Sequence, residues 1–259
     1  MRTSLALASA IACCLLPALS PAEPNPTTTA PVLQSSAPLA PMSTPAPAAP
    51  SMSLASRLAS LAPGANPKVV EMALEARECA MSTGEATGAG EKLAVIDYSM
   101  PSSQKRLWVF DLHNPRVLFN EYVAHGAGSG ENYARSFSNL DGTHQTSLGL
   151  FRTAETYEGH NGYSLRMDGL DRGFNDNARA RAIVMHGAWY VDPSMVQKVG
   201  RLGRSQGCPA VRAQVAHEII DTLKGGQFVF SYYPDSKWLH ESRYLACPNR
   251  PTRTIVATR

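Results

Sequence analysis

The chain has 259 residues, of which 44% are hydrophobic and 17% charged. At roughly 100–200 residues per domain that allows one or two domains with a real apolar core. A net charge of +3, with no Lys/Arg cluster interleaved with aromatics, argues against a nucleic-acid partner, and no apolar run reaches the ~18 residues needed to cross a bilayer.

Leu5 to Leu19 form a short apolar stretch behind a single charge, Arg2, with small residues at Ala18, Ser20 and Ala22. This predicts a cleaved secretory leader over residues 1–22 and an extracytoplasmic location, secreted or periplasmic. The stretch before Cys13 is short and Ala10 is a poor lead residue, which speaks against lipid attachment there. Nine prolines fall between Pro21 and Pro50, among Ala, Ser and Thr, and the one charged residue there is Glu23. Such a segment cannot bury enough apolar surface to offset its ordering entropy, so residues 23–51 are expected to form an extended, disordered tether. Beyond it, residues 52–92 are expected to be a helical N-terminal segment and 93–259 a catalytic domain.

A short helix is predicted around Leu54, Leu58 and Leu61. A second starts at Asn66-Pro67, with Asn66 as cap, carries Val70, Leu74 and Met81 on one face, and stops near Gly84. The period then changes to that of strands: Leu93–Tyr98, Leu107–Leu112 and Val117–Ala124, the last two joined by a turn at Asn114-Pro115. Further strands are expected at Leu148–Thr153, Ala182–His186 and Phe228–Tyr233. A helix over Ala210–Leu223 should bury Val211, Val215, Ile219 and Leu223 and end at Gly225-Gly226. Strands and helices do not alternate regularly, so the expectation is a mainly β (α+β) domain with a few packed helices and an N-terminal helical preface.

The informative chemistry lies in Ile183-Val184-Met185-His186-Gly187-Ala188 and Gly203-Arg204-Ser205-Gln206-Gly207-Cys208-Pro209. A buried strand delivers His186 at its end, and Gly207 permits the tight turn that exposes a thiol. A helix N-terminus behind Cys208 would favour thiolate. These are the parts of a Cys/His acyl-transfer site, with Cys208 as nucleophile, His186 as base and then acid, and the Gly207 and Cys208 N–H groups holding an oxyanion. In the bland alternative Cys208 pairs with Cys79 or Cys247 and His186 is a satisfied core histidine; the glycines clustered around both weigh against it. With Cys13 and Cys14 lost in the leader, the odd count of three implies one pair and one free thiol in an oxidising compartment.

The two motifs together resemble the active-site pattern of the YkuD-type L,D-transpeptidases, most closely the murein L,D-transpeptidase branch. Ser136-Phe137-Ser138-Asn139, Thr146-Ser147-Leu148-Gly149-Leu150-Phe151, Ser164-Leu165-Arg166 and Asn175-Asp176-Asn177-Ala178 are also similar to that branch, and the resemblance spans about Leu93 to Tyr233. It implies a β-rich YkuD-like catalytic fold and action on peptidoglycan stem peptides. A thioester would form on Cys208 as D-Ala leaves a tetrapeptide stem, and the acyl group would pass to a stem amine. It further implies acylation of the same thiol by carbapenems, no metal and no organic cofactor, a Gly187 carbonyl that orients His186, and Cys79–Cys247 as the bridge unless both thiols are free and buried. Two features depart from the common pattern. Gln206 stands where most members have an inner histidine, and the spacing from His186 to Cys208 is longer than usual. Transfer, hydrolysis by an L,D-carboxypeptidase, and a catalytically inactive cell-wall binding module therefore remain open readings.

Around the motif, Arg204, Ser205, Arg212 and Tyr190 are expected to bind substrate. The arginines either lower the thiol pKa or hold a stem carboxylate, against the alternative of surface charge and helix packing; Tyr190 and Trp189 line the cleft or belong to the core. His125-Gly126-Ala127-Gly128-Ser129-Gly130 lacks the βαβ setting of a dinucleotide loop and is expected to be a mobile loop near the cleft. A zinc site drawing on His160, Asp168, His186 and Cys208 lacks close ligand spacing.

Overall fold

The computed structural model describes residues 52–84 and 90–247. The expected leader over 1–22, the tether over 23–51, and Cys13 and Cys14 lie outside the described residues. No helix among those described is long and apolar enough to cross a membrane.

Two helices open the described chain. Helix α1 (Leu54–Leu61) is capped by Ser53, whose hydroxyl accepts from the Ser56 N–H. Helix α2 (Pro67–Ser82) is capped by Asn66, whose side chain accepts from the Lys68 N–H, with Pro67 in the first turn where a missing N–H costs nothing. Both follow the sequence reading.

An eight-stranded mixed sheet forms the body, in the order β3-β2-β1-β8-β4-β5-β6-β7. The strands are β1 (Lys92–Asp97), β2 (Leu107–Asp111), β3 (Arg116–Glu121), β4 (Gly149–Gly159), β5 (Gly162–Gly169), β6 (Val184–Ala188), β7 (Ala210–Arg212) and β8 (Phe228–Tyr232). Pairings are antiparallel except β1 with β8 and β6 with β7. The two edges of the sheet meet. Val123, just beyond β3, bridges Val211 of β7, and the Ala124 N–H donates to the Ala210 carbonyl at 2.8 Å. The sheet therefore curls into a near-barrel.

Alternation along the strands fills both faces. Leu93 and Val95, Trp108 and Phe110, and Phe228 and Phe230 pack with Leu58, Val70 and Ala73 of the first two helices and with Trp238. Ala94 and Ile96, Val109 and Val229 pack instead with Ile219, Ile220 and Leu223 of helix α4 (Ala213–Leu223). The N-terminal helices thus share a core with the central strands.

Several elements differ from expectation, each for an identifiable reason. The predicted helix over Ala210–Leu223 begins only at Ala213, because Ala210–Arg212 is drawn into the sheet beside β6. Its buried side is Ala216, Ile219, Ile220 and Leu223, and Val215 is only half-buried. Strand β5 was not predicted: it is bounded by glycines and half-exposed over much of its length, so it lacks clean alternation. Helix α3 (Pro193–Val199) buries no residue and α5 (Ser236–Glu241) only Trp238, so neither carries an amphipathic signal.

Cys79 of α2 is disulfide-bonded to Cys247, across a sequence separation of 168 residues, and Cys208 is free. A bridge closing so long a loop restricts the unfolded chain strongly. The Cys79→Ala/Cys247→Ala double variant is expected to lose about 3–5 kcal/mol of stability, read as a lower urea midpoint than wild type; an unchanged midpoint would mean the bridge contributes nothing.

Candidate active site

Strand β6 runs between β5 and β7 and carries His186, opposite Ser164 on one side and Ala210 on the other. The imidazole is buried, and its Nδ1 lies 2.9 Å from the Gly187 carbonyl. A carbonyl can only accept, so Nδ1 carries the proton and Nε2 is left with its lone pair. Burial pulls the imidazole pKa below its ordinary value, and the Gly187 hydrogen bond only partly opposes this.

The cysteine loop is tied by Ser205. Its N–H donates to the His125 carbonyl at 3.0 Å and its carbonyl accepts from the Ala127 N–H at 2.8 Å. Its hydroxyl donates to the Cys208 carbonyl at 2.6 Å and accepts from the Gly207 N–H at 3.1 Å. Gly207 has φ +119, and a Cβ there would lie 2.9 Å from the Gln145 carbonyl oxygen, so both backbone and space require glycine. Gly126 faces it closely: a Cβ on Gly126 would come within 2.8 Å of the Gly207 α-carbon. Cys208 Sγ accepts from the Val184 N–H at 3.4 Å and lies 3.7 Å from the Ala182 carbonyl. Among the described residues the Cys208 N–H has no hydrogen-bond partner, and the thiol is not hydrogen-bonded to His186.

Two electrostatic expectations are corrected. The helix behind Cys208 begins at Ala213, after β7, so no helix N-terminus faces the thiol. Burial pushes the thiol pKa up, against the opposing pull of the Val184 N–H and the Arg181 charge. The resting pair is therefore neutral thiol and neutral imidazole.

Segment 125–130 is also not a loose loop. It holds a single 3-10 turn (Ala127–Ser129), with His125 and Ser129 buried. Arg106, fully buried, reaches His125 Nδ1 at 2.7 Å and the Val123 carbonyl at 3.0 Å. Burial and the Arg106 charge hold His125 down at about 4, so it stays neutral and accepts from the guanidinium.

A cleft of about 480 Å³ opens over the sulfur. His186, Cys208, Ser205, Gln206, Arg204 and Tyr190 line it, together with residues that sequence motifs alone did not mark: Arg181 and Ala182, and, from earlier in the chain, Asp141, His144, Tyr157 and Asn161. His160 is also on this wall, while Asp168 is bound by Arg179 instead. Tyr190 packs over Gly203, where a Cβ would meet its ring at 2.8 Å, and its hydroxyl is pushed up to about 12 by burial. Trp189 is 78% exposed. Arg212 does not line the cleft; it pairs with Glu121 of β3 at 2.8 Å. Arg204 lines it but is held by Glu131 at 2.7 Å and the Gly130 carbonyl at 3.0 Å. Gly187 and Gly207 do not line it.

The stretches around Ser138, Ser147 and Asn177 turn out to be knitted together. Asn139 donates to Asp176 at 2.7 Å and accepts from the Asn177 N–H at 3.0 Å. Ser138 and Ser147 both receive the Arg181 guanidinium. Residues near 181 were legible only through their neighbours at 175–178, since nothing local to Arg181 marks it as a cleft residue.

The model of the L,D-transpeptidase catalytic domain family matches residues 61–232. A search of curated proteins gives no match. Among solved structures, an L,D-transpeptidase from Mycobacterium smegmatis is similar at 15% identity and TM-score 0.34, over 55% of this chain and 59% of its own. An L,D-transpeptidase from Stackebrandtia nassauensis is similar at 13% identity and TM-score 0.35, over 70% of this chain and 89% of its own. The helical cell shape determining protein Pgp2 from Campylobacter jejuni is similar at 13% identity and TM-score 0.35, over 60% of this chain and 55% of its own. The chain thus spans about 59% of the length of the M. smegmatis protein. With its catalytic-domain model matched over more than half of the residues, the chain belongs to the L,D-transpeptidase catalytic domain family.

Proposed function

We propose that the protein is a cysteine L,D-transpeptidase acting on peptidoglycan stem peptides outside the cytoplasm. The observation that carries this reading is the lone-pair-bearing Nε2 of His186 on the same cleft as Cys208, the one free thiol among the described residues. The Cys79–Cys247 bridge supports an oxidising compartment.

In this mechanism the Cys208 Sγ–H proton passes to His186 Nε2 as the sulfur attacks the carbonyl of the L-centre of the stem diamino acid. The unpaired Cys208 N–H is the donor for the resulting oxyanion; the Gly207 N–H, already given to Ser205, is a poorer candidate than the sequence suggests. Collapse expels D-Ala, whose amine takes the proton from the imidazolium, and leaves a thioester. A stem amine on a second strand then attacks the thioester, His186 removing its proton, and a cross-link forms. Water in place of the amine gives the trimmed stem. Tyr190, Ser205 and Arg204 border the cleft, which supports the reading that they touch the stem. Arg212, tied to Glu121, supports the β3–β7 edge instead.

The Cys208→Ala variant is expected to fold and to show no mass increase with a carbapenem, where wild type gains one adduct. An adduct on the variant would overturn the nucleophile assignment. Muropeptide mass spectrometry after incubation with wild type is expected to show cross-linked product; trimmed stems alone would make the enzyme a carboxypeptidase, and no product at all would leave a binding module.

His186→Ala is expected to slow acylation at least ~100-fold at neutral pH, as loss of a general base does. Its imidazole must be neutral to accept the proton. Because burial places its pKa below the ordinary 6.5, the wild-type rate should be level through neutrality and fall only on the acid side of pH 6.5. The raised thiol pKa means that the variant should regain rate at high pH, where thiolate forms without a base. A stopped-flow pH series checks both limbs; identical profiles for wild type and variant would remove His186 from the mechanism.

A further inference from the structure

The cleft pairs a buried thiol with a buried imidazole, and the two cations that flank the cysteine in sequence are both spent, Arg204 on Glu131 and Arg212 on Glu121. One cation of the cleft is not. Arg181, in the turn that leads into β6, is in no salt bridge among the described residues, and the carboxylate that acts on it, Asp141, does so through space across the cleft. Its guanidinium is clamped by neutral acceptors: Nη1 donates to the Ser138 carbonyl at 2.8 Å and the Ser147 hydroxyl at 2.6 Å, and Nη2 donates to the Gln145 carbonyl at 2.8 Å.

The clamp lies beside the cysteine turn. Nη2 lies 3.5 Å from where a Gly207 Cβ would sit, one residue before Cys208. The next residue in the chain, Ala182, presents its carbonyl to Sγ, and Val184 presents its N–H. Only two described non-glycine residues have left-handed backbone, His144 (φ +53) and Ala182 (φ +51). One directly precedes Gln145, which accepts from Arg181, and the other directly follows Arg181. An L-residue adopts this conformation at a cost, and here both instances shape the clamp.

We infer that Arg181 is a charge-positioning residue of the site, whose fixed guanidinium steadies the Cys208 sulfur as its proton passes to His186 Nε2 and the electron pair stays on sulfur. The positive charge acts on the thiol, lowering its pKa against burial, while the His186 imidazole is set by burial and the Gly187 carbonyl. Such a charge has a clear place in a chain whose Gln206 and late-starting helix supply none. The other ionisable groups around the cleft are Arg204, Tyr157, Tyr190, Asp141 and the histidines at 144, 160 and 186.

This inference rests on the reading of Cys208 as nucleophile, and its test is kept separate from turnover. The readout is the pH dependence of Cys208 alkylation by iodoacetamide, followed by mass spectrometry in wild type, Arg181→Lys and Arg181→Met, with thermal melts to confirm folding. Arg181→Met is expected to raise the alkylation midpoint by about one pH unit, a roughly tenfold loss of thiolate at fixed pH, with Arg181→Lys staying close to wild type. Should Arg181→Met fail to fold, Arg181→Gln removes the charge while keeping donors for the Ser138 and Gln145 carbonyls, and the same shift is expected. Equal midpoints in wild type and the neutral variant, or equal shifts in the lysine and neutral variants, would overturn the inference. Absence of carbapenem acylation in wild type alongside the expected midpoint shift would overturn the functional reading alone.

Discussion

Everything chemical in this protein hangs on the seam where the curled sheet closes. Residues 123–127 from beyond β3, the Ser205–Cys208 turn, β7 and β6 meet there in a continuous set of backbone hydrogen bonds. Ser205 is its knot, with both main-chain groups spent on the 125–127 segment and its hydroxyl spent on its own turn. The seam holds the thiol against the start of β6 while the same strand carries the imidazole two residues on. Gly126 is needed because a Cβ there would press on the Gly207 backbone, and Gly207 because its left-handed backbone and the Gln145 carbonyl leave no room for a side chain.

Behind the seam lies a buried strut. Arg106 is fully enclosed without a carboxylate contact, and its charge is spread over carbonyls, the Tyr98 ring at 5.0 Å and His125. A buried guanidinium is tolerated when its donors are satisfied and it lies over an aromatic face. Arg181 on the other side of the cysteine loop is satisfied in the same manner, by carbonyls and a hydroxyl. Two cations held by neutral acceptors therefore bracket the loop, and one of them keeps its charge within reach of the sulfur. Burial meanwhile opposes both the thiolate and the imidazolium. A neutral resting pair follows.

Gln206, in the cysteine turn, lines the cleft without bringing a charge to it. In this chain the Gly187 carbonyl meets the imidazole and the Arg181 charge pulls against the burial of the sulfur. The arginines adjacent to the cysteine motif serve the scaffold: Arg204 ties Glu131 and the Gly130 carbonyl beside the seam, and Arg212 joins β7 to Glu121 at the end of β3.

Much was legible in the residues alone. Local signals marked α1 through Leu54, Leu58 and Leu61, α2 through Asn66 and Pro67, the β2–β3 hairpin through Asn114-Pro115, and the pairing of a strand-end histidine with a glycine-flanked cysteine. Those features depend on caps, turns and period, which are properties of neighbouring residues. What failed depended on distant partners. Ala210–Arg212 has helical spacing but pairs with β6, because a sheet edge offers it backbone partners that a helix start does not. Strand β5 has no alternation to read because its neighbours bury it unevenly. The charge near the sulfur was sought beside Cys208 in the chain, yet it comes from the turn before β6, since Coulomb attraction follows distance in space and is blind to sequence separation. Sequence by itself determined which groups could do chemistry; only the closed sheet decided which of them face one another, because that choice is made by hydrogen bonds between segments far apart along the chain.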